Sequence, residues 1–553
     1  MLRERRGLPI GTENFEKIIR NKNFYVDKTS FIEKIIKDSS DIKLFTRPRR
    51  FGKTLTLSML KYFFDIEGRD ENKELFKGLY ISRSEYMKYQ GEYPVIFITL
   101  KDLKENTWEE CLENISDIMQ SLYNDFEFIR EKLNEVERNK FNKIWTLEAN
   151  TTILKKSLFN LIQYIYKYYG KKVVLLIDEY DSPLINAYEK GYYSKAVSFF
   201  STFYSTALKT NDNLQMGVLT GILKVVKEGI FSGLNNIKTY TVLDEKYSDS
   251  FGLTEVDVED AVREYGLLEN MDEVKRWYNG YKFGSSDIYN PWSIVNYLDE
   301  GSLKAHWINT SSDTAILRLI READGTMLDG LVRIFNGESS EQTVDISSDM
   351  SDMGNPQEIW QLLLFGGYLT SERKVGEYTY LLRLPNYEVQ SFFKNKFLNY
   401  NYREYKGMFK KMTDSLLLKD VLKYEELLQK ILLYSVSYHD VSKEEKFYHN
   451  LILGMLLYLD SSYRIKSNVE EGYGRTDVVM IPLDKALPGF IFEFKVSERG
   501  DDTSMEKAAD EALRQITEKR YEISLEMEGV VDVVYIGAAF YGKKVKIMYF
   551  LKD

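Results

Sequence analysis

Five short apolar runs, DIKLFT, PVIFITL, KKVVLLID, QMGVLTG and IKTYTVL, punctuate the first 250 residues, with long amphipathic stretches between them. Runs that are apolar throughout belong to strands covered on both faces, and strands alternating with helix-length segments build a largely parallel sheet. An α/β domain is therefore expected over residues 1–250. At 553 residues the chain is too long for a single hydrophobic core. From about 251 to 445 the pattern is mostly helical, rich in Tyr, Trp and Leu, with turn signals at YNGYKFG and YNPWS. The last region opens on the helical KEEKFYHNLILGMLLYL and passes through the strand-like GRTDVVMIP and GFIFEFKV. A charged helix around MEKAADEALRQITEKRY follows, and the strands VVDVVYIGAAFYG and KVKIMYFL close the chain. No solenoid repeat or low-complexity tract interrupts this order.

Composition removes several function classes. A single cysteine, Cys111, excludes a disulfide framework and a Cys-rich zinc site, and the three histidines (His306, His439, His449) are too scattered for a histidine cluster. A bound metal must then sit on carboxylates, which favours Mg²⁺ or Mn²⁺ over zinc. The formal net charge of −10 argues against a surface that binds nucleic acid all over, while leaving room for a local basic groove. Such acidity makes non-specific binding weak and salt-sensitive, as suits an enzyme kept idle until triggered. No apolar run approaches the ~18–20 residues that span a bilayer. The N-terminal MLRERRGLPIG lacks the apolar core of a signal peptide. The expectation is a cytoplasmic chain without a membrane partner. Nine prolines and no Gly/Ser-rich run leave no visible long linker, so the domains are expected to pack on each other.

Residues 46–54, TRPRRFGKT, lie between the strand-like DIKLF and the helix-like LTLSMLKYFF. A phosphate loop needs backbone N–H groups to cradle phosphates, a lysine for the β/γ oxygens and a hydroxyl for Mg²⁺. Gly52, Lys53 and Thr54 meet that need, while Arg47 stands at the first glycine position. Arg47, Arg49 and Arg50 crowd the loop, and either slow hydrolysis or supply charge to the phosphates; Arg49 and Arg50 are counted with the nucleotide contacts. In KKVVLLIDEYD, Asp178 and Glu179 fall at the carboxyl end of an apolar strand, the edge where parallel sheets bind ligands. Asp178 is expected to hold Mg²⁺ through water and Glu179 to orient the attacking water. The plainer reading of such a pair is a solvated turn. PVIFITL lies between the loop and the acidic strand, the order expected of the ATPase branch that inserts a strand between the two motifs. MGVLTG ends a further strand on Thr220, where a phosphate-sensing side chain belongs.

Near the other end, residues 474–496 read GRTDVVMIPLDKALPGFIFEFKV. Asp477 opens one strand, and Glu493 and Lys495, two apart on the next, point to the same face. A hairpin-like loop brings Asp477 beside Glu493. Two carboxylates and the carbonyl of Phe494 make a hard oxygen site for Mg²⁺, and Lys495 can stabilise the hydroxide or the phosphate charge. The spacing alone is loose, since exposed strands often carry Glu and Lys. Here Phe492, Phe494 and Val496 alternate with the charges, which then need a partner or a metal. Gln515, on the following helix six residues before Tyr521, is placed to orient water or phosphate. Glu470 (or Glu471) offers an auxiliary carboxylate and Arg475 a phosphate contact, and either Glu445 or His449 could face the site. For His449 a hydrogen-bonded place at a buried helix edge is the preferred reading.

These segments resemble a known family. LPIGTENFEKIIRNKNFYVDKTSFIEKII followed by RPRRFGKTLTLSML looks like the AAA-ATPase-like family of bacterial and archaeal proteins, in which RPRRFGKT is the usual form of the loop. LLIDEYDSPL, VLTGILKV, IFSGLNN, FGLTEVDV, WYNGYKFG, YNPWSIVNYL and HWINTS resemble its further blocks. The segments FYHNLILGMLL, GYGRTDVVM, FIFEFKV and ALRQITEKRY resemble the PD-(D/E)XK nuclease domain usually fused to that ATPase. The resemblance implies a multidomain α/β protein. Its parts are an ASCE-type P-loop NTPase sheet (1–250), a helical or winged-helix middle module (251–400) and a restriction-endonuclease-like core (401–553, motifs in 445–553). It implies ATP and Mg²⁺, with Mn²⁺ as substitute. Lys53 and Thr54 become the phosphate and metal contacts, Asp178 and Glu179 the acidic motif, and Asp477, Glu493, Lys495 and Gln515 the nuclease set. Lys224 stands where many relatives carry arginine, and no arginine finger is placed.

The function expected is an ATP-gated, Mg²⁺-dependent nuclease that cuts DNA in preference to RNA. A homo-oligomer or a defence or mobile-element partner suits that architecture. A nucleotide-dependent switch or scaffold that binds nucleic acid without cutting is the alternative, and an ATPase motor with an accessory C-terminal domain is a third. The 41 tyrosines, many at helical spacing in the middle region, read as core rather than as base-stacking platforms.

Overall fold

The computed structural model describes residues 5–223, 236–307, 337–344, 356–393, 406–435, 462–471 and 474–552, with single positions at 327, 330, 331, 333, 334, 448, 449, 452, 455 and 456. Lys224, Glu445 and the side chains of Glu470 and Glu471 lie outside the described residues. The chain divides into two compact units, Met1–Ile316 with Gln342–Glu388, and Leu317–Glu341 with Val389–Asp553.

The first unit is built on strands β1 (Ile42–Thr46), β2 (Val95–Thr99), β3 (Val173–Asp178), β4 (Leu214–Gly221) and β5 (Ile237–Tyr240). Their order is β2-β3-β4-β1-β5, and every neighbouring pair is parallel. All residues of β1 and β3 are buried, as continuous apolar runs covered on both faces require. The strand between β1 and β3 is β4, which carries Thr220; PVIFITL forms β2 at the edge. The insertion expected from sequence order is thus made by a later strand. The β1-to-β2 crossover leaves two places open, and β3 and β4 fill them.

Helix Lys53–Phe64 starts one turn after β1, with Gly52 before it at φ 81°, a left-handed backbone that favours glycine. After the sheet come helices Glu255–Glu264, Met271–Tyr278 and Pro291–Glu300. The last begins as its sequence dictates: Asn290 accepts the N–H groups of Trp292 and Ser293, and Pro291 takes the first turn. These helices close a separate apolar core that includes Phe24, Val262, Tyr278 and Tyr297. The YNGYKFG turn signal becomes the hairpin Tyr281–Phe283 with Ser286–Ile288, and a second hairpin pairs Thr370–Lys374 with Thr379–Arg383.

The second unit is a five-stranded mixed sheet: β6 (Tyr463–Glu471), β7 (Gly474–Pro482), β8 (Gly489–Val496), β9 (Val533–Tyr541) and β10 (Lys544–Lys552), in that order. Only β8 and β9 run parallel. Helix Asp502–Lys519 makes their crossover, the connection that parallel neighbours need. Phe490, Phe492 and Phe494 face one core, shared with helices Lys406–Leu417 and Val421–Ser435. Ile491 faces the other, with Val479, Ile481, Ile516 and Tyr521. By the two-residue period of a strand, Asp477, Glu493 and Lys495 lie on this second face. Helix Asp502–Lys519 comes very close to β9 there. A Cβ at Gly537, the register partner of Glu493, would stand 2.4 Å from both Ala509 O and Leu513 N.

Two candidate functional sites

In the first unit the loop after β1, the ends of β3 and β4 and the start of helix Lys53–Phe64 meet. Asp178, fully buried, is their hub. It accepts the Thr54 hydroxyl at 2.8 Å through Oδ2 and the Thr220 hydroxyl at 2.7 Å through Oδ1. Lys53 Nζ donates to the carbonyls of Arg47 (3.0 Å) and Pro48 (2.9 Å) within its own loop. Burial pushes the Lys53 ammonium below its ordinary value, against the upward pull of Glu179, Asp178 and Asp181. Glu179 has φ 51°, an uncommon backbone for a residue with a side chain, and it faces the same cavity as the loop. That cavity, of about 450 Å³, is of ligand size and is lined by Arg49–Thr56, Glu179 and Lys101 together with Ile10, Phe24 and Trp292.

The three arginines divide. Arg47 is fully buried: its guanidinium donates to the carbonyls of Thr46 (2.8 Å), Tyr240 (2.9 Å) and Tyr247 (3.2 Å) and lies against Phe251 and Phe283. Burial lowers its pKa to about 9, with Asp244 pulling the other way. Arg47 therefore bolts the loop to β5 and the chain beyond it, while Arg49 and Arg50 line the cavity. Arg50, at φ 69°, stacks 4.2 Å over Trp292.

Two neighbours escape sequence reasoning. Asp181, the last residue of the DEYD run, accepts the N–H groups of Ile222 and Leu223, both at 2.8 Å, and so ties the turn after β3 to the turn after β4. Burial pushes its carboxyl up to about 6 against those two donors. Gly221 makes room for it, since a Cβ there would lie 2.6 Å from Asp181 Oδ1. Trp292 belongs to the YNPWS turn signal, which marks a helix start and says nothing of an arginine.

In the second unit the β7–β8 ladder runs from Met480–Phe490 to Val478–Phe492. Beyond it the Asp477 carboxylate takes a backbone's place: Oδ2 accepts the Phe494 N–H at 2.7 Å, while the Asp477 N–H points to Glu493 Oε2 at 3.4 Å. Glu493, 4% exposed, accepts Gln515 Nε2 through Oε1 at 2.5 Å. Gln515 is also 3.2 Å from the Tyr521 hydroxyl, which donates to the Arg475 carbonyl at 2.8 Å. Burial raises the Tyr521 pKa, helped by Glu493 and Asp477 and opposed by Gln515. Lys495 is half-buried on the face of Glu493, and the Arg475 side chain is exposed. His449, 4% exposed, has Nε2 at 2.9 Å from Ser467 Oγ and Nδ1 at 3.8 Å from Asp477 Oδ1. Tyr521, a mere distance marker in the sequence, is thus the support of Gln515. Gly474 is a clue in hindsight, since a Cβ there would lie 2.9 Å from the Tyr521 hydroxyl.

The donor set here suits a hard divalent cation: two carboxylates side by side, held from behind by an amide, with the backbone of Phe494 between them. Among the described residues no three His, Cys, Asp or Glu side chains cluster as a closed cage. An open carboxylate pair matches Mg²⁺, which keeps several of its waters. No helix among the described residues is long and apolar enough to cross a membrane.

Comparison with known proteins agrees with this division. Residues 9–231 match the family model described as predicted AAA-ATPase, and residues 443–550 match that of the PD-(D/E)XK nuclease superfamily. The chain is also 26% identical over 534 residues to a protein of Azotobacter chroococcum mcd 1 described as an uncharacterized protein in the vnfD 5' region. The similarity covers 94% of this chain and 93% of that one.

Proposed function

We propose, from the premise that this chain joins a predicted AAA-ATPase domain to a PD-(D/E)XK nuclease superfamily domain, that it is an ATP-gated, Mg²⁺-dependent nuclease acting on DNA in preference to RNA. The observation that carries the reading is the buried Glu493 carboxylate, set beside Asp477 and held by Gln515. A strand of purely structural use has no need of two converging carboxylates with a lysine on the same face.

In this reading Asp477, Glu493 and the Phe494 carbonyl hold the cation. When bound, it supplies Lewis acidity to the phosphodiester and a water acidified toward neutrality. The protein's own groups do the rest. Gln515 fixes the rotamer of Glu493, and Tyr521 fixes Gln515. Lys495 places positive charge where the phosphate's oxyanion charge grows. In the other unit Lys53 exchanges its loop carbonyls for the β and γ phosphates, Arg49 and Arg50 add charge, and Thr54 and Asp178 hold the nucleotide's Mg²⁺. Glu179 orients water and Thr220 senses the γ-phosphate through Asp178.

The test is cleavage of single- and double-stranded DNA and RNA with Mg²⁺ or Mn²⁺, beside Asp477→Ala. Metal-dependent cutting of DNA that disappears in Asp477→Ala is the expected result. Binding of any of these substrates without cleavage would favour a switch or scaffold instead.

A further inference from the structure

The loop Arg47–Phe51 is gripped by side chains that come after the parallel sheet in sequence. Trp307 donates its Nε1–H to the Arg49 carbonyl at 3.1 Å, and Trp292 carries the Arg50 guanidinium. Gly367 approaches Pro48 so closely that a Cβ on it would stand 2.7 Å from the proline Cβ. One carboxylate secures both tryptophans. Glu388, fully buried, accepts the Trp307 backbone N–H at 2.7 Å through Oε1. Through Oε2 it accepts, at 2.8 Å, the hydroxyl of Ser293, the residue after Trp292. Placing a carboxyl among such donors in the interior opposes stability, because they replace water imperfectly. That points to a role beyond holding the fold together.

The position of Glu388 suggests the role. Residues 387–393 form one helical run, and the division between the two units falls inside it, between Glu388 and Val389. We propose that Glu388 is a coupling residue, tying the phosphate loop to the first turn of the helix that leads into the nuclease unit. The inference deepens, and rests on, the reading of an ATP-gated nuclease. Arg50 supplies the differential contact that a switch requires. Its guanidinium lines the phosphate cavity and stacks on Trp292. A ring face is worth about 0.5–2 kcal/mol to such a cation, and a triphosphate offers it charge-assisted hydrogen bonds, which are stronger. Nucleotide binding thus competes with the stack. Trp292 then shifts the neighbouring Ser293, and the change reaches Glu388 and the helix it begins.

Hydrogen–deuterium exchange in the full chain, with and without ATP, tests this over peptides covering 291–307 and 386–393, with cleavage measured in parallel. In the wild type ATP changes exchange in both peptides and alters cleavage about tenfold. Glu388→Ala still binds ATP and keeps the nucleotide-free level of cleavage, but loses the response at 386–393 and the response of cleavage. Glu388→Gln, which retains an acceptor for the Trp307 N–H, restores both. Ser293→Ala, a milder change, weakens both and serves where Glu388→Ala does not fold. Full responses in Glu388→Ala overturn the proposal. So does a loss of melting temperature and ATP affinity in step with the response, with no rescue by Glu388→Gln. A wild type whose 386–393 peptide responds to ATP while cleavage does not would support the coupling and remove the gated nuclease. One with gated cleavage and no response at 386–393 would remove the coupling and leave the nuclease.

Discussion

Two buried charged side chains, Glu493 and Arg47, serve opposite purposes. Glu493 is held by the Gln515 amide at its Oε1. Gln515→Ala is expected to lower cleavage and metal affinity about 10–100-fold, as loss of an outer-shell support does, and Tyr521→Phe to do so less. Titrating Mg²⁺ or Mn²⁺ into cleavage assays of both variants checks this, and unchanged metal dependence in Gln515→Ala would remove its role. Arg47 satisfies three carbonyls in the interior of the first unit. Arg47→Ala strands those acceptors and should cost about 3 kcal/mol or more of stability. Lys53→Ala strands two loop carbonyls rather than three, so it should lower the melting temperature less, and it should abolish ATP binding. Thermal unfolding with a nucleotide-binding assay separates the two, and a stable Arg47→Ala that merely fails to bind ATP would make Arg47 a phosphate contact after all.

At the scale of elements, the crossover helix Asp502–Lys519 matters because it carries Gln515. Its distance from the sheet is set by Gly537. Gly537→Ala forces a methyl group against the helix backbone, with an expected loss of about 1–3 kcal/mol and a fall in cleavage beyond that of the destabilisation, because Gln515 leaves Glu493. Denaturation and cleavage of the same preparation give both numbers. A variant that loses stability at full specific activity would uncouple the helix from the site. Neither Gly537 nor Gly474 stands out in a sequence, since the atoms they yield to come from other elements. The strands that sequence makes plain are those buried on both faces, such as VVLLID, and those with charges at a two-residue period, such as FEFKV. Strand β6 escapes because, of the strand's side chains described, only Tyr463 and Ile465 are fully buried. The far wall of the cavity beside the loop after β1 escapes for the same reason as Gly537: nothing local to Trp292 or Trp307 announces a loop some hundreds of residues away.

Across the whole molecule, buried carboxyls should make the first unit sensitive to pH. Burial pushes Glu388 up to about 7 against the Trp307, Ser293 and His306 donors, and pushes Asp65 and Asp181 each up to about 6. A carboxyl whose pKa is raised by folding favours the folded state below its ordinary pKa and loses that advantage as pH rises through the folded value. Stability should therefore decline between about pH 4 and 7, the aspartates acting from 3.8 to about 6 and Glu388 from 4.5 to about 7, while His306, lowered by burial, opposes the decline near its upper end. Glu388→Gln should flatten that decline by roughly 3 kcal/mol, as urea unfolding at a series of pH values can measure; a slope as steep as the wild type's would exclude Glu388 as its source. In the proposed function, ATP bound by one unit sets the activity of the other. That link is tested most directly by the ratio of DNA cleavage with and without ATP, at saturating Mg²⁺, in the wild type and in Lys53→Ala. A ratio of about ten or more, in either direction, is expected for the wild type and a ratio of one for Lys53→Ala. Equal cleavage with and without ATP in the wild type, still abolished by Asp477→Ala, would contradict it and leave a nuclease whose ATPase domain serves another end.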